Sequence, residues 1–418
     1  MEYFPSEKQL RFMDWEFGAF FHFGIRTFNH GHRDWDGIEM PASTFRPDSL
    51  DCGQWIRTVK SVGAKYAIMT TKHHDGFALW PSAYTSYSVA ASPWRNGKGD
   101  VVREFVDACR AEDIAVGLYY SPAQWGSSAV KFDREEEYDD YFINQISELL
   151  TGYGKIDYLW FDGCGSGDHK YDQVRIINTI RSLQPDIIIF GMWDPDVCWV
   201  GNEDGYAPID NTCVQKTNVL GKEKTIFAPQ ECDCRLRGTW FYDLNEYSLK
   251  TVDELCGMYE MSVGRGANLL LNIGPDDRGL IPDPDIARLR EWHRELDRRY
   301  LSPLPLGEMK REGKNRYSIE YSDEMLNKVL GDTDFIPLCR SVIITEDISH
   351  GVASRRFRLY AHIPSRNPIS DRMICVCDGG TVGRKRIVRF PAMRTPKLTL
   401  EILDSDGECV ITSMKAYC

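Results

Sequence analysis

The stretch of this chain best equipped for chemistry is Ile156-Asp157-Tyr158-Leu159-Trp160-Phe161-Asp162-Gly163. A strand period of two puts Ile156, Tyr158, Trp160 and Asp162 on one face. A carboxylate that follows buried aromatic neighbours off a strand end either faces a cavity, where it can attack or accept a proton, or caps the next helix. The pattern alone leaves both readings open, with Gly163 expected to let the chain turn away. The second stretch is Lys72-His73-His74-Asp75-Gly76-Phe77. Adjacent strand residues face opposite ways, so both imidazoles reach one metal ion only if the strand has already ended. Neutral histidines bonding substrate hydroxyls suit this stretch better, and no metal or organic cofactor is expected. Two further runs end in His22 and in Tyr119-Tyr120-Ser121. Trp35, Trp80, Trp94, Trp125, Trp160, Trp193, Trp199 and Trp240 thicken around such ends. Apolar sugar faces stack on aromatic rings, which suits a carbohydrate pocket, although many of these rings must simply fill a large core.

These residues need elements to hold them. Up to about residue 300, short apolar runs alternate with amphipathic segments, as βα units do. The strand-like runs are Ala19–His22, Tyr66–Thr70, Ala115–Tyr119, Tyr158–Phe161, Ile187–Phe190, Cys198–Val200, Thr225–Ala228 and Asn268–Ile273. Helical stretches include Val101–Glu112, Glu135–Leu150, Asp172–Leu183, Thr251–Val263 and Asp283–Arg299. The expected class is α/β, a TIM-like (β/α)8 barrel over 1–302, with its site at the C-terminal strand ends. Beyond Leu301-Ser302-Pro303 the runs shorten and alternate between Gly, Pro, Asn and Asp, which predicts a small C-terminal antiparallel β-sandwich over 303–418.

Composition narrows the partners. Fifty Lys+Arg against 62 Asp+Glu give a formal charge of −12, which argues against nucleic acid and anionic membrane surfaces. No run of about 18 apolar residues predicts a membrane helix. The start of the chain lacks a basic segment followed by an apolar one, so no signal peptide is expected. The 13 cysteines are scattered, and only Cys232 and Cys234 stand close, which predicts reduced, mostly buried thiols and a cytoplasmic location. A homo-oligomer is left open.

Five segments in chain order resemble the α-L-fucosidases of glycoside hydrolase family 29. They are Phe17 to Gly24, Tyr66 to Trp80 with His73-His74-Asp75-Gly76-Phe77, Gly117 to Ser121, Leu159-Trp160-Phe161-Asp162-Gly163, and Asn268 to Pro275. The likeness continues through Glu346 to Gly351 and Gly380 to Ile387. The resemblance implies a retaining exo-glycosidase that removes terminal α-L-fucosyl residues from oligosaccharides or glycoconjugates. It makes Asp162 the nucleophile, and His22, His73, His74, Tyr119 and Trp160 the residues around the sugar. Trp35 follows Asp34 where relatives carry Glu-Trp, and Trp240 matches the aromatic lid over the sugar's methyl group. Val200-Gly201-Asn202-Glu203-Asp204-Gly205 looks like the acid/base segment of the branch acting on 1,3- and 1,4-linked fucose, with Cys198-Trp199 where relatives have Arg-Trp. Glu203 is the favoured acid/base, and Glu231 the alternative acid/base or a substrate contact. The same mechanism on a related sugar such as an α-L-galactoside, or a non-catalytic carbohydrate-binding barrel, stays open.

Overall fold

A computed structural model describes residues 3–31, 36, 38–125, 135–333, 336–363 and 372–418. Its first part is an eight-stranded sheet whose neighbours are all parallel. The strands are β1 (Phe17–Phe21), β2 (Tyr66–Lys72), β3 (Ala115–Tyr120), β4 (Tyr158–Phe161), β5 (Ile188–Phe190) and β6 (Cys198–Trp199). A hairpin, β7 (Val214–Val219) and β8 (Lys222–Phe227), precedes β9 (Gln230–Arg235) and β10 (Asn268–Asn272). The order is β5-β4-β3-β2-β1-β10-β9-β6, and one bridge between Phe190 and Val197 joins the two ends into a nearly closed barrel.

One strand departs from expectation. The run Thr225–Ala228 was the predicted seventh barrel strand, but most of it forms the second arm of the hairpin, where Thr225 pairs antiparallel with Lys216. The barrel strand is β9, parallel to β10 from Glu231↔Asn268 to Arg235↔Asn272. Its alternation puts Glu231, Asp233 and Arg235 on one face, so it carries no apolar run for hydropathy to find.

Phe20, Ile68, Tyr158, Trp160, Ile188, Phe190 and Leu270 fill the barrel interior as one cluster. Gly18 is needed there, since a Cβ on it would meet the Tyr66 ring at 2.3 Å. Outside the strands lie α1 (Glu7–Trp15), α2 (Cys52–Lys60), α3 (Val101–Ala111), α4 (Glu135–Gly152), α5 (Gln173–Leu183), α6 (Val252–Ser262) and α7 (Asp283–Tyr300). In α3 the buried set Val101, Val102, Phe105, Val106 and Cys109 follows the helical period and packs on the sheet. Asp51, Asp100, Asp172 and Thr251 cap their helices by accepting a backbone N–H three residues on, each contributing about 1 kcal/mol. Helix α1, with its Ser6–Gln9 capping box, adds Phe12 and Met13 to the interior cluster.

The remainder forms two antiparallel sheets and one helix, α8 (Asp323–Thr333). β11 (Lys310–Gly313), β12 (Arg316–Glu320), β13 (Leu338–Glu346), β14 (Ser354–Ile363), β15 (Arg372–Gly379), β16 (Arg386–Arg394), β17 (Lys397–Ser405) and β18 (Ile411–Tyr417) order as β11-β12-β17-β14-β15 and β16-β13-β18. Phe357, Leu359, Leu398 and Leu400 from one sheet share a core with Val342, Ile344, Val388 and Met414 from the other. Thr381 Oγ1 donates to the Asn211 carbonyl at 3.1 Å, and Lys385 Nζ pairs with Glu16 at 2.6 Å, tying this part to the barrel. The 13 cysteines are free, nine of them buried. Among the described residues no helix is long and apolar enough to cross a membrane.

Candidate active site

Asp162 comes directly after β4, at the C-terminal mouth of the barrel. Its Oδ2 accepts from the Tyr119 hydroxyl at 2.8 Å and lies 3.3 Å from His74 Nε2, while Oδ1 accepts from the Cys164 N–H at 2.9 Å. The side chain keeps 24% of its surface open. Burial alone would raise its pKa, but the bonds from His74, Cys164 and Tyr119 win and hold it below the usual carboxylate value. The chain turns away at once, as expected at Gly163, whose carbonyl accepts from the Ser166 N–H at 3.2 Å, with Gly165 supplying a φ of 70°.

The charge on His74 follows from hydrogen-bond bookkeeping. Ser121 Oγ donates its single proton to the Ala123 carbonyl at 2.7 Å, so it can only accept from His74 Nδ1, 2.5 Å away. Nε2 faces the Asp162 carboxylate and must donate as well. Both nitrogens then carry protons, and His74 is an imidazolium. Burial pushes the other way, yet the bond to Asp162 takes the His74 pKa up to about 9. His73, His74 and Asp162 offer atoms within 4.8 Å of one another, close enough for a metal. A doubly protonated His74 has no lone pair to give one, so the geometry fits an ion pair better.

This pairing has a pH signature. His74 has its pKa raised from 6.5 to about 9, so its contribution is complete below pH 6.5 and is lost as pH rises through about 9. The depressed Asp162 contributes above its ordinary value of 3.8 and loses that as pH falls further. The Tm advantage of the wild type over His74→Gln should therefore be largest between about pH 4 and 6.5 and shrink on both sides. An advantage that does not vary with pH would show His74 to be neutral.

His22 is set up differently. Asn272 Nδ2 donates to the Trp240 carbonyl at 2.7 Å, which leaves Asn272 Oδ1 to accept from His22 Nδ1 at 2.8 Å. Burial lowers the His22 pKa to about 3, so the ring is neutral and its Nε2 is a bare acceptor. His73 is also kept neutral by burial, and its Nδ1 is buried with no hydrogen-bond partner among the described residues. Such an atom costs about 1–3 kcal/mol unless a ligand completes it.

Aromatic rings frame these groups. Tyr119 stacks on Trp160 at 5.4 Å, and Trp160 on Phe190 at 4.2 Å. Trp240 lies 4.8 Å from His22, and Phe241 meets both His22 and His73 edge-on. A cavity of about 260 Å³ is lined by Trp240 and Phe241 together with Arg26, His30, Tyr242 and Arg235.

The structure therefore gathers His22, His73, His74, Tyr119, Trp160, Asp162 and Trp240. Trp35 lies outside the described residues. Glu203 is on a loop organised by Asn202, whose Oδ1 accepts from the Asp204 N–H, and its side chain is 48% exposed. Asp204 bridges antiparallel to Cys234, and Glu203 Oε2 lies 4.0 Å from Arg235 Nη2. Arg235 in turn lies over the Trp240 ring at 5.3 Å. Glu231 is elsewhere. It pairs in register with Asn268, at the opposite end of β9 from Arg235. Fully buried, it accepts from Tyr66 Oη at 2.6 Å, Trp160 Nε1 at 2.9 Å and Tyr158 Oη at 3.1 Å. Burial pushes its pKa up to about 7. Phe241, Asn272, Ser121 and Arg235 were not singled out from the sequence. Asn272 and Ser121 sat inside the quoted motifs, whereas nothing in sequence pointed to Arg235 or Phe241.

Comparison with known proteins places this geometry. A family model described as alpha-L-fucosidase matches residues 5–297. Alpha-L-fucosidase 1 of Arabidopsis thaliana is 38% identical over 307 residues, 69% of this chain and 59% of that protein. Plasma alpha-L-fucosidase of Rattus norvegicus is 29% identical over 265 residues, 59% of this chain and 54% of that protein. The chain thus spans between half and three fifths of the length of these relatives. Among solved structures, a glycoside hydrolase 29 family member from an unknown rumen bacterium superposes with a TM-score of 0.88 at 31% identity, covering 100% of this chain and 77% of that one.

Proposed function

The chain belongs to the alpha-L-fucosidase family, and from that premise we propose that it is a retaining exo-glycosidase acting on terminal α-L-fucosyl residues. The observation that carries this is Asp162 held ionised between His74 and Tyr119, beneath two neutral histidines with nitrogens left for substrate hydroxyls. The architecture is read as a (β/α)8 barrel with a C-terminal β-sandwich, and the pocket is built at the barrel's C-terminal mouth.

Two carboxylates suffice for the reaction. In retaining enzymes they stand about 5–5.5 Å apart, one attacking the anomeric carbon while the other protonates the leaving oxygen. Asp162 forms the glycosyl ester. His74 and Tyr119 hold its Oδ2 and stabilise the carboxylate that departs in the second step. Glu203 donates the first proton and then activates water. The exposed loop position of Glu203 beside Arg235 supports this choice. Glu231, fully buried, accepts from Tyr66, Tyr158 and Trp160 at once, which supports a positioning role under Trp160. The resemblance of the Glu203 segment supports 1,3- or 1,4-linked substrates.

A released-sugar assay tests the reading. Incubation with 4-nitrophenyl α-L-fucoside, the matching α-L-galactoside and oligosaccharides with 1,2-, 1,3-, 1,4- and 1,6-linked fucose should free fucose fastest from the 1,3- and 1,4-linked compounds. Faster release of L-galactose, or fucose binding without hydrolysis at any pH, overturns it.

A further inference from the structure

We propose that the exposed indole face of Trp199, fixed by Asp233, is the platform for the sugar ring on the leaving-group side of the scissile bond. This rests on the fucosidase reading above and extends it to a second binding position.

Strand alternation orients the indole ring. Val197 and Trp199 share a face, and Val197 is fully buried within the barrel-interior cluster beside Trp160 and Phe190. Trp199 therefore points inward, yet 47% of it is exposed. An inward residue that open to solvent has to line the mouth. The other described tryptophans are all less exposed. A bulky indole at a barrel mouth would ordinarily be free to swing, but its Nε1 donates to Asp233 Oδ1 at 2.7 Å. Asp233 is itself only 4% exposed and sits on the inner face of β9 between Glu231 and Arg235. The ring is thus held by its nitrogen while nearly half of the residue stays open to solvent.

Position decides the occupant. Trp199 stands four residues before Glu203, and β6 lies beside β9, whose Arg235 is 4.0 Å from the Glu203 carboxylate. The glycosidic oxygen must sit at the acid, so the ring attached to that oxygen reaches this wall. A pyranose presents apolar C–H groups to an indole and hydroxyls to its surroundings, which matches a fixed aromatic face edged by Asp233 and Glu203. The side of the pocket occupied by the fucosyl ring is already furnished by Trp160, Tyr119 and Trp240.

The test compares leaving groups with and without a ring. With wild type active on both, Trp199→Ala should lower kcat/KM for a fucosyl disaccharide about tenfold more than for α-L-fucosyl fluoride, the scale of one aromatic contact, chiefly through KM. Asp233→Ala should give a smaller split of the same sign, and Asp233→Asn, which keeps the acceptor oxygen, should restore it. An equal loss on both substrates, or no loss on either, overturns the platform while leaving the fucosidase reading intact. If wild type hydrolyses neither compound, the fucosidase reading itself is overturned.

Discussion

Asp162→Gly should remove turnover of an aryl α-L-fucoside, with kcat falling on the order of 10⁴- to 10⁶-fold, the scale on which deleting a covalent nucleophile acts. Added azide should restore a measurable rate and yield the fucosyl azide of inverted anomeric configuration. The reason is spatial. Azide is small and anionic, and the space left by the carboxylate keeps the Tyr119 hydroxyl and the His74 cation that faced Asp162. It attacks from the same side as the missing carboxylate, so only one of the two displacements takes place. NMR of the product reads the configuration directly. Rescue with retained configuration, or a variant that keeps more than about a hundredth of the activity, removes Asp162 from the nucleophile's role. The variant should also be less stable, because His74 is left as a buried charge without its partner.

The second large effect separates Glu203 from Glu231. Glu203→Ala should lower kcat on a fucosyl oligosaccharide by about 10²- to 10⁴-fold, the usual contribution of a positioned acid. A fluoride or nitrophenolate leaving group needs no proton, so its release should be spared. Glu231→Ala should behave as a folding defect instead. It strips the acceptor from Tyr66, Tyr158 and Trp160 at once, and each buried unsatisfied donor costs about 1–3 kcal/mol. A Tm drop with similar losses on all substrates is the expected result. If Glu231→Ala instead shows the leaving-group dependence and Glu203→Ala does not, the two assignments exchange.

Much of this site could be read from the chain, for definite reasons. Asp162 was visible because Tyr158, Trp160 and Asp162 alternate along a strand, and His73-His74 because β2 ends at Lys72, just before them. The seventh barrel strand was not visible, because Glu231, Asp233 and Arg235 give its inner face a loop-like polarity. A functional cavity reverses the hydropathy rule where the strand matters most. The status of Glu231 was equally hidden, since its partners Tyr66 and Trp160 lie 165 and 71 residues away in the chain. Helix α1 did leave a signal in its Ser6-to-Gln9 capping box, and α2 in its Asp51 cap. The charge on His74 needed the direction of the Ser121 hydroxyl, which no pattern encodes.

The seam of the barrel has a consequence for how such a protein can change. β2 and β3 are held by six register pairs, whereas β5 and β6 meet at one bridge and β6 is two residues long. Backbone rearrangement is cheapest where few ladder bonds must break. Insertions or altered loops around Cys198–Trp199 can therefore reshape one wall of the mouth while Asp162, His74 and Tyr119 stay fixed on the well-paired arc. The nucleophile and the groups that hold it are thereby lodged on a different arc of the ring from the segment that carries Trp199 and Glu203, and the two can diverge at different rates.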